Sequence, residues 1–137
     1  MVERKLHPNH FFSKEEKDKI VSAICDAEAD TTGDILLHLE RYCGADVLAK
    51  AKKLFEHQKL HLKKDKNAVL IYIALKERSF AILGDEGIHK RVGDQFWNGL
   101  SESLRQDFTK GEFLSGLESV IAQIGQELKV HFPRTLP

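Results

Sequence analysis

The segment Ala68-Val69-Leu70-Ile71-Tyr72-Ile73-Ala74-Leu75 restricts the fold more than any other stretch of this chain. It is too short to cross a bilayer, is rich in strand-forming side chains, and reads as one β-strand. A strand that is apolar on both faces must be covered on both, which predicts a central strand between helices. Lys76-Glu77-Arg78 then makes a short polar turn, and Ser79 to Leu83 returns as a hairpin partner, stopped by Gly84-Asp85-Glu86-Gly87.

The flanking segments supply the covering layers. Residues 1–10 are polar, contain Pro8 and read as an irregular arm. Ser13-Lys14-Glu15-Glu16 is a capping box, with Phe11 or Phe12 placed to staple the first turn of the helix it starts. Ile20, Val21, Ile24, Cys25 and Ala27 give that helix an apolar face to about Asp30, and Thr31-Thr32-Gly33 ends it. Ile35 to Tyr42 reads as a strand. A lysine-backed apolar stripe from Ala45 to Leu62 predicts a helix, followed by the charged loop Lys63 to Asn67. Asp94 is the expected cap of a helix carrying Trp97, Leu100, Leu104 and Phe108. Phe113 to Leu128 marks a long last helix before Pro133. The order predicts a three-layer α/β/α sandwich around a small mixed sheet of three or four strands. One domain over residues 11–133 with a tail at 134–137 accounts for the whole chain.

A chain of 137 residues is long enough for one real core, and 42% hydrophobic with 31% charged residues excludes disorder. Twenty-one basic and 21 acidic side chains cancel, which argues against a nucleic-acid or anionic-membrane binder. No signal-like or membrane-spanning run is visible, so the expectation is a soluble, cytoplasmic monomer with no direct membrane insertion. Cys25 and Cys43 form no Cys-x-x-Cys pair and are expected to be reduced, with Cys25 a small core hydrophobe.

Topology predicts where the polar loops meet. A strand, a helix and a second strand form a crossover, so the first two strands are parallel, while the hairpin makes the second and third antiparallel. The start of the first strand, the start of the second and the end of the third then share one end of the sheet. That end collects Thr31, Thr32, Gly33 and Asp34, then Asp65, Lys66 and Asn67, then Asp85 and Glu86, with Asp94 close behind. Several carboxylates in one cleft repel unless a cation neutralises them, and oxygen donors suit calcium or magnesium. The competing reading is that each acidic residue caps a turn and stays hydrated.

Four blocks resemble the TPM-domain family: Thr31-Thr32-Gly33-Asp34-Ile35, Asn67-Ala68-Val69-Leu70-Ile71, Ala81 to Ile88, and the Phe-x-x-Gly-x-Phe-x-x-Gly stretch of Phe108 to Gly116. The resemblance implies an α/β/α sandwich and a calcium-type metal site in the acidic loops. For some members it implies an acid phosphatase activity. Carried over, it assigns Asp34, Asp85 and Glu86 as cation ligands, with Asp94 and Asn67 as further candidates, and calcium ahead of magnesium. Asp34 departs from the family's usual glutamate and Ala68 from its glycine.

Other motifs carry less. Asp30-Thr31-Thr32-Gly33 superficially resembles the Asp-Lys-Thr-Gly loop of ion-pumping ATPases. There the aspartate follows a strand, whereas Asp30 ends a helix. No phosphate loop, nucleophile elbow or dinucleotide fingerprint is present. His57 and His61 stand at i, i+4 but among lysines; they read as surface residues, as Lys63-Lys64 reads as a solvated face. His38 reads as a core or edge histidine. The expected function is a small divalent-cation-binding module that works through a protein partner. The alternative is a metal-assisted phosphomonoester hydrolase, with Asp85 or Glu86 as ligand or base and Lys66, Lys90 or His89 toward phosphate.

Overall fold

A computed structural model describes residues 4–134; residues 1–3 of the expected arm and 135–137 of the expected tail lie outside the described residues. Along the chain run α1 (Lys14–Glu28), β1 (Asp34–Glu40), α2 (Val47–His57), a 3-10 turn (Leu60–Leu62), β2 (Ala68–Ala74), β3 (Ser79–Gly84), α3 (Glu86–Thr109) and α4 (Phe113–His131). The sheet has the order β1-β2-β3, with β1 parallel and β3 antiparallel to β2. Every residue of β2 is buried, as a central strand apolar on both faces requires.

Alternation along the strands divides the core in two. Ile35, Val69, Ile71 and Ile73 face a cluster with Ile20 of α1, Leu100 and Leu104 of α3, and Leu117, Ile121 and Ile124 of α4. Leu70 and Tyr72 face the other way, onto Ala51 and Phe55 of α2. This is the expected three-layer α/β/α arrangement with three strands. Close helix contact depends on Gly125, because a β-carbon there would stand 2.6 Å from the Ala27 β-carbon.

The Ser13 box forms as expected. Ser13 Oγ accepts from the Glu16 amide at 3.1 Å, and the Glu16 carboxylate accepts from the Ser13 amide at 3.0 Å. Glu16 also takes two 2.7 Å hydrogen bonds from Arg4, whose guanidinium lies 5.2 Å from the centre of the Phe11 ring. That pairing holds the Glu16 carboxyl down at about 2 against the cost of burial. Phe11 and Phe12 are both buried, so the arm is anchored where it meets the domain.

Several sequence expectations need correction. Cys25 and Val21 are exposed, because the buried side of α1 is set by Ile20 and Ala27, with Ala23 and Ile24 packed beside them. The Ala45–Leu62 helix is shorter than expected. Asp46 caps its start by accepting from the Ala49 amide, it ends at His57, and Lys59 turns left-handed with φ 59°, leaving Leu62 exposed. His57 and His61 therefore do not share a helix face. The helix expected to begin at Asp94 does resume there, after a break at Gly93 with φ 77° and ψ 172°; what the sequence did not predict is the helical stretch before it, which begins at Glu86 and is capped by Asp85.

Candidate functional site

The predicted convergence of loops is present in the strand register. Asp34 pairs with Ala68 across β1 and β2, and Val69 pairs with Gly84 across β2 and β3. Neighbouring strands lie roughly 4.8 Å apart, so Asn67 stands between Asp34 on one flank and Asp85 on the other. The loops are also clamped backbone to backbone. Asp85 donates its amide to the Ala68 carbonyl at 3.0 Å, and Ile88 donates to the Lys66 carbonyl at 3.2 Å. Gly87 permits this approach, because a β-carbon on it would lie 2.1 Å from the Asp65 carbonyl oxygen.

Asn67 is fully buried at the centre. Its Nδ2 donates to Thr32 Oγ1 at 2.9 Å, and that hydroxyl donates to Asp65 Oδ2 at 3.1 Å. The amide oxygen, Asn67 Oδ1, is buried with no hydrogen-bond partner. Asp85 repeats the pattern: Oδ1 accepts from the Glu86 amide at 2.8 Å as the helix cap, while Oδ2 is buried and unpartnered. A buried acceptor without a donor costs about 1–3 kcal/mol. Two such oxygens at one end of a sheet make a place where a cation or a donor would be stabilised.

The other residues expected at the site are placed differently. Asp34 is ion-paired with Lys63, whose Nζ lies 2.7 Å from Asp34 Oδ2 and donates to the Thr32 carbonyl at 2.5 Å. Lys63 is thus a half-buried partner rather than a solvated lysine. Glu86 is exposed in the first turn of α3. Asp94, just past the Gly93 interruption, is exposed and lies 3.4 Å from His89 Nε2. His89 Nδ1 accepts from Trp97 Nε1 at 3.0 Å, and the Trp97 ring lies so close to Gly84 that a β-carbon there would meet it at 2.2 Å. Among the described residues, no three His, Cys, Asp or Glu side chains gather tightly enough to hold an ion.

Any ion at this end therefore needs a mixed oxygen set: one carboxylate, an amide oxygen, and backbone carbonyls or water. Calcium accepts such a set of six to eight oxygens. The sequence places Thr32 at this end only as part of a turn, and Lys63 only as a solvated lysine. The threonine stands next to a named turn glycine, but its bridging between Asn67 and Asp65 depends on two loops meeting. Lys66 is occupied in donating to the His61 carbonyl.

A family model described as TPM domain matches residues 7–127 of the chain. Among solved structures, the BA42 protein from the psychrophilic bacterium Bizionia argentinensis is 38% identical, with a TM-score of 0.84 over 91% of this chain and 86% of that one. The N-terminal domain of a protein from P. gingivalis is 14% identical, with a TM-score of 0.70 over 91% of this chain and 83% of that one. The N-terminal domain of the cg2496 protein from Corynebacterium glutamicum is 15% identical, with a TM-score of 0.66 over 85% of this chain and 74% of that one. These last two share the fold. No curated protein matches the chain. No helix among the described residues is long and apolar enough to cross a membrane.

Proposed function

The chain belongs to the TPM-domain family, and from that premise we propose that it is a small divalent-cation-binding module whose site is the loop end of the sheet. The observation that carries this reading is the pair of buried, unpartnered oxygens, Asn67 Oδ1 and Asp85 Oδ2. Asp85 supplies charge, Asn67 supplies a neutral oxygen, and the Asp65 carbonyl, which lies against Gly87 in the same loops, would be a further donor. Asp34 joins only when it is released from Lys63. Oxygen donors of mixed charge favour calcium over magnesium, which keeps its own water shell and demands tighter geometry. The bound ion would fix three loops relative to one another, a binding function rather than a catalytic one. The hydrolytic alternative has no comparable observation behind it, since Lys66 is engaged by His61 and His89 by Trp97 and Asp94.

Calcium, magnesium and manganese titrations followed by backbone-amide NMR and calorimetry test the reading. Saturable shifts centred on residues 32–34, 65–67 and 85–88, lost in Asp85→Asn, support it. That variant keeps a capping side chain at the start of α3 while removing its charge. A chain indifferent to all three ions would overturn the proposal. Metal-dependent turnover of an aryl phosphate, lost in the same variant, would replace it with the hydrolase.

A further inference from the structure

We propose that the free edge of β1 is a docking strand for an extended peptide segment of another protein, apolar in its middle and basic at both ends. The reading is independent of the cation site and begins with hydrogen-bond parity. The Glu40 carbonyl accepts from the Leu75 amide, so the even-numbered residues of β1 turn their backbone groups toward β2. The odd-numbered residues turn theirs outward. Ile35, the first of these, has its amide taken by the Glu28 carboxylate at 2.8 Å. Leu37 and Leu39 follow, and no backbone partner from the described residues occupies their outward donors and acceptors.

An open strand edge is ordinarily blunted by lysine, proline, a bulge or a covering element. The seven residues Asp34-Ile35-Leu36-Leu37-His38-Leu39-Glu40 contain no lysine or proline. The other edge strand, β3, has α2 against one face and α3 against the other, whereas α2 packs over β2 and β3 rather than β1. Leu36 to Glu40 are consequently only half-buried. Adding a strand beside β1 would extend both apolar faces and occupy the four free backbone groups of Leu37 and Leu39.

Charge decides the occupant. In full-length antiparallel pairing with a second copy, centred on Leu37, Asp34 of each chain would stand opposite Glu40 of the other. Lys63 offsets the Asp34 charge, but the Glu28 carboxylate on the Ile35 amide leaves each such end negative against the Glu40 of the other chain. With Asp34 compensated, Glu28 and Glu40 are the negative charges at the two ends of the edge, and these complement a strand with lysine or arginine at its ends. Glu28 reaches the edge beside Ile35 and Glu40 closes the strand at its other end, so the two basic residues belong at the two ends of an incoming strand of about seven residues.

The probe is the peptide KTVIVTK, with ETVIVTE as its charge-reversed control, titrated into the whole chain with EDTA present so that cation binding plays no part. Expected are amide shifts along β1 and at least about tenfold slower hydrogen exchange at Leu37 and Leu39 with KTVIVTK. A peptide N-methylated at alternate amides should lose the effect. Glu40→Lys, at a partly exposed position, should weaken KTVIVTK about two- to fivefold and strengthen ETVIVTE, the range that surface ion pairs give. Failure of both peptides to protect Leu37 and Leu39 would overturn the proposal. Equal binding of the two peptides would overturn it as well. So would concentration-dependent protection without peptide, which would assign the edge to self-pairing.

Discussion

Lys63 holds Asp34 by a 2.7 Å ion pair at the mouth of the loop end, with its ammonium also on the Thr32 carbonyl. An ammonium on a carboxylate and a carbonyl occupies the kind of oxygen pair that a metal ion would use. If the proposed cation site is correct, Lys63 competes for it. Lys63→Met should therefore raise calcium affinity about three- to tenfold, since it removes a competing charge worth on the order of 1 kcal/mol. Stability should change by less than about 1 kcal/mol, because the Asp34 side chain is 57% exposed and remains hydrated. Calorimetric titration beside a thermal melt separates the two effects. Unchanged or weaker affinity would remove Asp34 from the ligand set.

Gly87→Ala should be costly for a reason visible only in the folded chain. The new methyl would meet the Asp65 carbonyl oxygen at 2.1 Å and the Lys66 carbonyl oxygen at 2.6 Å, and both obstacles are backbone. Separating the 65–67 loop from the start of α3 should cost about 2–3 kcal/mol, the upper range for overpacking. Denaturant unfolding measures that loss. The amide shifts of residues 85–88 should be more perturbed than those of β1. A variant as stable as the parent would show that the loops are not clamped as described.

The Arg4–Glu16 pair predicts acid sensitivity. Pairing lowers the folded carboxyl from about 4.5 to about 2, so its contribution is fully present above about pH 4.5 and is lost as pH falls toward 2. Both side chains remain partly exposed, at 26% and 21%, which limits the contribution to on the order of 1–2 kcal/mol. Stability measured from pH 6 to pH 2.5 should fall by that much more in the parent than in Arg4→Gln. Parallel curves would mean that the arm is not held by this pair.

Tyr72 offers an alkaline counterpart. Burial of the phenol, and after it the charges of Glu40, Cys43 and Glu77, push its ionisation up to about 12. Its hydroxyl is unpartnered and its ring stacks on His38 with centroids 5.8 Å apart. The unfolded chain ionises this group near 10, so stability should decline as pH rises from about 10 to 12. Tyr72→Phe should remove that decline. Phenolate absorbance growing in with the native fold intact at pH 10.5, and missing from Tyr72→Phe, would contradict the burial.

Much of the architecture was legible because its signals are local. The Ser13 box, the mostly apolar start of β1 and the apolar run of β2 each set one element within a few residues. Together they dictate a crossover and a hairpin, which is why Asn67 and Asp85 could be named as neighbours. The boundaries that failed are places where local signals compete. Apolar Leu62 suggested that a helix continued, yet Lys59 turns left-handed and ends the run. The stripe after Asp94 marked the helix that starts past Gly93, but the turns from Glu86 to Val92, capped by Asp85, carry too few apolar positions to announce themselves.

The order of residues alone determined the layers, the sheet topology and the end at which the polar loops gather, since periodicity and chain connectivity suffice for these. Only the tertiary structure decided what each polar group does there. Lys63 reached Asp34, Thr32 bridged Asn67 to Asp65, and two oxygens were left without donors. Partners of this kind come from segments some 30 residues apart, and their pairing depends on ångström-scale approach that no pattern along the chain encodes. The same holds for the bare edge of β1, whose exposure is a consequence of where α2 came to rest.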